Sequence, residues 1–240
     1  MNRSENPLII ALDVDSTARA LELVDKIGPA ADFYKVGMEL YAAAGMDIVS
    51  QLGAFGKKVF LDLKLYDIGE TVKRATHEIC RNEAVTFLTV HGSRSVMGAA
   101  VEGRGASAVK LLAVTVLTSF DQEDLADLGY PAPISELVEL RVKKAAESGI
   151  DGVVCSPLEV ARVREVGGPE LKLITPGVRS AGAATGDQKR VATPAEAIAN
   201  GADFLVIGRQ VTRASDPRQA YQQILAEIEA AVSVTVSGAR

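Results

Sequence analysis

Apolar residues gather in eight short runs: LIIALDV (8–14), FYKVGMEL (33–40), VFLDLKL (59–65), FLTVHG (87–92), KLLAVTVLTS (110–119), GVVCS (152–156), LKLITPGV (171–178) and FLVIGRQV (204–211). Their apolarity is nearly continuous rather than alternating, as expected of strands covered on both faces in a parallel sheet. Between the runs the period changes. Ala20, Val24 and Ile27 recur at helical spacing, as do Val72, Ala75 and Ile79, and again Ala220, Ile224, Ile228 and Ala231. SPLE at 156–159, TPAE at 193–196 and DPRQ at 216–219 each set a capping Ser, Thr or Asp before a Pro and close on Glu or Gln, the local signature of a helix start.

Eight strand-helix units in a chain of 240 residues predict an α/β fold, a (β/α)8 barrel formed as a single domain over residues 1–240, with an open doubly wound sheet as the alternative. The polar residues choose between them. Asp13, Lys64 with Asp67, His91, Thr118 with Ser119, Arg179 and Arg209 fall at the C-terminal ends of their runs. A barrel builds its site on that face, whereas an open sheet gathers such residues at one switch point.

A formal net charge of −5 and the lack of a basic run argue against a nucleic-acid partner. The apolar runs fall well short of the ~20 residues of a membrane span, and MNRSENPLII shows no signal-peptide pattern, so a cytoplasmic protein without a membrane partner is expected. Cys80 and Cys155 lack CxxC spacing and are expected to be buried thiols.

Charges inside an apolar strand need a reason, because burying one unpaired costs several kcal/mol. Asp62 and Lys64 are two apart and so point to one face of a strand, Asp67 follows in the loop, and Lys35 lies on the preceding strand. Ammonium and carboxylate groups placed together offset each other's desolvation, either as a structural ion-pair network or as a dry reactive site. Gly208 and Arg209 end the last run, where barrels commonly hold phosphate; the alternative is a turn glycine beside a surface arginine. The Gly- and Ala-rich stretch 179–192, with Gln188 near its end, reads as a lid able to close over a phosphate. His91 has only His77 as a companion, so a metal site lacks partners and a hydrogen-bonded structural histidine is the simpler reading.

In order along the chain, ALDVDS, KVGMELY, FLDLKLYDIGETV, VTVLTS, ITPGVR, GDQKRVATPAEAI and VIGRQVTRA resemble the bacterial orotidine 5′-phosphate decarboxylase family, and the DxKxxDI element is the most specific of them. The resemblance implies conversion of orotidine 5′-phosphate to UMP and CO2 in pyrimidine synthesis, by a homodimeric barrel without metal or organic cofactor. It also implies site residues. Lys35, Asp62, Lys64 and Asp67 match the family's alternating charge network, with Lys64 the proton donor. Asp67 and Thr71 would reach the neighbouring subunit's site. Asp13 and Lys35 match ribose ligands, Thr118 a pyrimidine contact, Pro176 and Arg179 the lining of the closing loop, and Gln188, Gly208 and Arg209 a phosphate clamp. The rival is another phosphate-binding barrel working through a metal-stabilised enediolate on the same DxKxxD strand.

Overall fold

A computed structural model describes residues 6–181 and 192–237, with side chains to residue 231. Eight parallel strands close into a barrel in sequence order: β1 (Leu8–Ala11), β2 (Phe33–Gly37), β3 (Lys58–Leu65), β4 (Val85–His91), β5 (Lys110–Val114), β6 (Gly152–Val154), β7 (Lys172–Thr175) and β8 (Phe204–Ile207), with β8 returning to pair with β1. The helices around it are α1 (Thr17–Ile27), α2 (Met38–Ala44), α3 (Asp47–Ala54), α4 (Gly69–Ile79), α5 (Arg94–Arg104), α6 (Gln122–Asp127), α7 (Ile134–Glu147), α8 (Val160–Gly167), α9 (Pro194–Ala199), α10 (Arg209–Thr212) and α11 (Pro217–Ser237). All eight apolar runs contain a strand, and the closed order excludes the open sheet.

The continuous apolarity has its physical cause in two separate packings. Outward residues such as Ile10, Tyr34, Val36, Leu61 and Leu205 join the large core under the helices. Inward residues Ile9, Phe33, Phe60, Phe87 and Phe204 fill the barrel itself. The Phe87 ring packs 5.0 Å from Phe33, 5.3 Å from Phe204 and 5.9 Å from Phe60, making an aromatic floor. Alternation then dictates what stands above that floor. The next inward positions on β1, β2, β3 and β8 are Ala11, Lys35, Asp62 and Val206, followed by Asp13, Gly37 and Gly208.

Several runs end sooner than their apolarity predicts. FYKVGMEL is strand only to Gly37, and Met38–Leu40 already begin α2; FLVIGRQV likewise passes into α10 at Arg209. The TPAE box is complete at α9, with Thr193 Oγ1 accepting from Glu196 N and Glu196 accepting from Thr193 N. Asp216 caps α11 through Gln219 N at 3.0 Å. SPLE differs: Ser156 N donates to Glu159 Oε2 at 3.3 Å and Ser156 Oγ accepts from Leu158 N, but these bonds close a turn and α8 starts only at Val160. At the opposite end of the barrel, Asp151 and Asp203 repeat one device. Each accepts from a strand N–H (Leu111 and Leu173, both 2.9 Å) and from a helix arginine (Arg104 and Arg164). These clamps hold the strand starts and leave the other mouth to function.

Candidate active site

The C-terminal mouth opens into a cavity of about 460 Å³. Lys35, only 11% exposed, places its Nζ 2.8 Å from Asp13 Oδ1 and 3.7 Å from Asp62 Oδ2. Lys64 donates to the other oxygen of Asp62 at 2.9 Å. The result is a line of alternating charge, Asp13, Lys35, Asp62 and Lys64, on three neighbouring strands. Within one chain the second carboxylate is Asp13, whereas Asp67 is exposed with its carboxylate accepting from Ile68 N at 2.7 Å.

Lys64 reaches the shared face by an unusual route. Between β3 and β4 the register jumps from Leu61 opposite Leu88 to Leu65 opposite Val90, so β3 advances four residues while β4 advances two. Within this bulge Lys64 holds φ 53°, the only positive φ among the described non-glycine residues. Its N–H donates to Thr89 Oγ1 at 2.9 Å, and Thr89 in turn donates to Asp62 Oδ1 at 2.9 Å. Such backbone costs about 1–3 kcal/mol and persists where surrounding contacts over-determine it. The strain sits on the residue whose ammonium faces the cavity.

Electrostatics keep Asp62 and Lys35 ionised. Burial alone pushes the Asp62 carboxyl up, but Lys35, Lys64 and the Thr89 hydroxyl together hold it below the usual carboxylate range. Burial likewise pulls the Lys35 ammonium down, and Asp62 and Asp13 outweigh it to raise it above its ordinary value. On the far side of the cavity, burial and then the charge of Arg209 pull the Arg179 guanidinium down. Two guanidiniums on one cavity wall suit an anion.

Of the expected residues, Asp13, Lys35, Asp62, Lys64, Thr118, Pro176, Arg179, Gly208 and Arg209 all line this cavity. Asp67 and Thr71 do not belong to the lining of their own chain's cavity, and both are exposed. Gln188 and most of the expected lid lie outside the described residues; its ends meet where Arg179 N donates to Ala192 O at 3.0 Å. His91 stacks on Tyr66 with centroids 4.2 Å apart, but its Nδ1 is buried without a hydrogen-bond partner, so the expected hydrogen bond is not made there. Cys155 is buried as expected, but Cys80, at the end of α4, is half-buried. Sequence reasoning missed three contributors. Thr89 carries the hydrogen bonds just described, Glu39 lines the cavity, and Gly37 makes room: a Cβ there would stand 2.8 Å from Lys35 Nζ and 3.2 Å from Asp13 Oδ1. The KVG triplet holds that signal, since an inward position above a buried lysine must be small.

A closed (β/α)8 barrel with an alternating Asp/Lys line on one wall and paired arginines on another defines a phosphate-binding barrel enzyme with a charged reaction centre. Comparison narrows the class. Residues 6–224 match the orotidine 5′-phosphate decarboxylase / HUMPS family, and the chain belongs to that family. It is 53% identical over 221 residues to an orotidine 5′-phosphate decarboxylase of Rhodopseudomonas palustris (strain HaA2), covering 92% of this chain and 94% of that protein. A relative of the same name from Methylobacterium nodulans is 51% identical over 227 residues, covering 93% and 96%. The crystal structure of orotidine 5′-phosphate decarboxylase from Lactobacillus acidophilus superposes with a TM-score of 0.81 at 38% identity, covering 93% of this chain and 99% of that one.

Proposed function

We propose that this barrel, working as a single domain, decarboxylates orotidine 5′-phosphate to UMP and CO2 in pyrimidine synthesis. The observation that carries the reading is the Asp13–Lys35–Asp62–Lys64 line facing one cavity together with Arg179 and Arg209. Losing CO2 from C6 of the pyrimidine leaves an electron pair with no good resonance sink. Preorganised charge must therefore stabilise it. The C6–carboxylate bond breaks, CO2 departs, and the pair left on C6 takes a proton from Lys64 Nζ, which solvent then reprotonates. Asp62 holds Lys64 in position and Lys35 holds Asp62, so the ammonium meets the developing charge without reorganisation.

Asp13 and Lys35 serve as ribose ligands, Thr118 contacts the ring, and Gln188, Gly208 and Arg209 hold the phosphate beside Pro176 and Arg179. Phosphate lies far from the reacting carbon, so its binding energy is available to close the loop and exclude water. The line also accounts for the chemistry without a metal or organic cofactor. The active unit is a homodimer in which Asp67 and Thr71 complete the partner's site. Tyr66 and Ile68, 70% and 73% exposed, flank Asp67 with apolar surface of the kind an interface covers. The proposed location is the cytoplasm; among the described residues no helix is long and apolar enough to cross a membrane.

The test is the loss of orotidine 5′-phosphate absorbance on adding purified protein in excess chelator, with the product identified as UMP. Rapid conversion is expected. No conversion, with activity on a keto-sugar phosphate once magnesium is restored, moves the chain to the enediolate barrels.

A further inference from the structure

The protein carries a formal net charge of −5, yet the substrate class inferred above is a polyanion, so capture needs a local field opposite to the global one. The cavity supplies it: five cationic side chains line it against three carboxylates. One of the five, Arg213, is unaccounted for by the phosphate clamp or the charge line. Its N–H donates to Arg209 O at 3.1 Å, which sets it one helical turn beyond Arg209 on the same face of α10. It is exposed, and it lines both the main cavity and an adjoining groove of about 340 Å³ that opens from it.

Four carboxylates, Asp13, Asp15, Glu22 and Glu39, line the groove with three cations, and Asp13 is held by Lys35 while the two cations other than Arg213 are occupied. Arg19 lies 3.7 Å from Asp15 and Lys26 lies 2.5 Å from Glu22, both as neighbours along α1 and its cap. Arg213 makes no ion pair with any described residue. Of the five cations of the cavity it is the one that also lines the groove, beside Glu39, and so stands where the groove meets the site of Arg209 and Gly208.

We propose that Arg213 is a capture residue for the substrate phosphate: it draws the dianion to the groove mouth and passes it inward to Arg209, one turn away. This rests on the decarboxylase reading for the identity of the nucleotide. A charge acting at the entrance works through solvent, so its effect depends on ionic strength, unlike that of a buried contact.

Arg213→Gln is expected to lower kcat/KM for orotidine 5′-phosphate about tenfold at low ionic strength, with most of the loss in KM. The gap from wild type should shrink in about 0.5 M salt, where screening acts within a few ångströms. Arg213→Lys should recover most of the loss. UMP binding by calorimetry should weaken in parallel while uridine binding does not. A loss independent of salt, an equal loss for uridine, failure of the lysine variant to recover, or wild-type behaviour of Arg213→Gln would each overturn the proposal. The UMP titration needs no turnover. If wild type fails to decarboxylate while Arg213→Gln still weakens UMP with the expected salt dependence, the decarboxylase reading falls and the capture role stands.

Discussion

Lys64 and Asp62 meet across 2.9 Å through a bulge rather than through regular strand alternation, and the backbone of Lys64 is left at φ 53° to achieve it. Side-chain chemistry and backbone stability are therefore in conflict at one residue. Lys64→Ala should lower kcat by at least about 10³-fold, since it removes both the cation facing C6 and the proton donor. UMP affinity should change little. Near-normal kcat would remove Lys64 from the proton-donor role. Lys64→Gly should be as inactive but about 1 kcal/mol more stable than Lys64→Ala, because glycine adopts this φ without strain. Thermal unfolding of the pair reads that difference.

Asp62 supports two ammoniums, so removing its charge leaves both short of compensation. Asp62→Asn should destabilise the fold by about 3 kcal/mol, as expected when one partner of a buried pair is lost. The pH dependence follows from the same contacts. Asp62 titrates lower folded than unfolded, so its stabilisation is present above about pH 4 and is lost as pH falls through the folded value. Lys35 titrates higher folded than unfolded, so its contribution is present below about pH 10 and is lost as pH rises through the folded value. Denaturant midpoints across pH should show a plateau between these limits, and Asp62→Asn should flatten the acid limb. An unchanged acid limb would mean that other carboxylates govern it.

Gly37 tests whether the cavity depends on an empty position. Its φ is −93°, so alanine meets no backbone penalty, and the effect of Gly37→Ala must come from its methyl, 2.8 Å from Lys35 Nζ. We expect kcat/KM to fall at least tenfold as the Lys35–Asp13 pair is displaced, with a small change in melting temperature. Wild-type kinetics would show that the lysine moves aside without consequence.

For the phosphate side, Arg209→Ala should weaken UMP binding by about 2 kcal/mol while leaving uridine affinity near wild type. Calorimetric titration of both ligands separates the cases. Equal losses would take Arg209 out of the phosphate site.

The barrel was legible in the sequence because its strands are buried on both faces, so Phe33, Phe60 and Phe204 inside and Tyr34, Leu61 and Leu205 outside all read as apolar. Strand ends were less so: Met38 and Leu40 continue an apolar run into α2, and apolarity does not distinguish the two states over so few residues. The site was legible where a charge interrupted a run, as at Lys35, Asp62 and Lys64. Thr89 escaped because a threonine in a strand is ordinary, and its hydrogen bonds to Asp62 and Lys64 depend on a register shift that no local pattern encodes. Within one chain Asp13 comes in from another strand to pair with Lys35 while Asp67 stays exposed, so the place beside the cluster that the resemblance gives Asp67 depends on a second copy.

Asp67 is exposed between Tyr66 and Ile68 and is not part of the cavity of its own chain, so it contributes to catalysis only if a second copy brings it there. Mixing two inactive proteins decides this. In a dimer formed from one Lys64→Ala chain and one Asp67→Ala chain, one site carries both lesions and the other carries neither. After subunit exchange at equal concentrations, activity should rise from near zero to about one quarter of wild type, because half of the dimers are mixed and each holds one intact site. Native mass spectrometry confirms the exchange. Mixed dimers that form but stay inactive would place Asp67 in its own chain's chemistry, an active Asp67→Ala protein would place it outside the reaction, and either way the two-chain site would be abandoned.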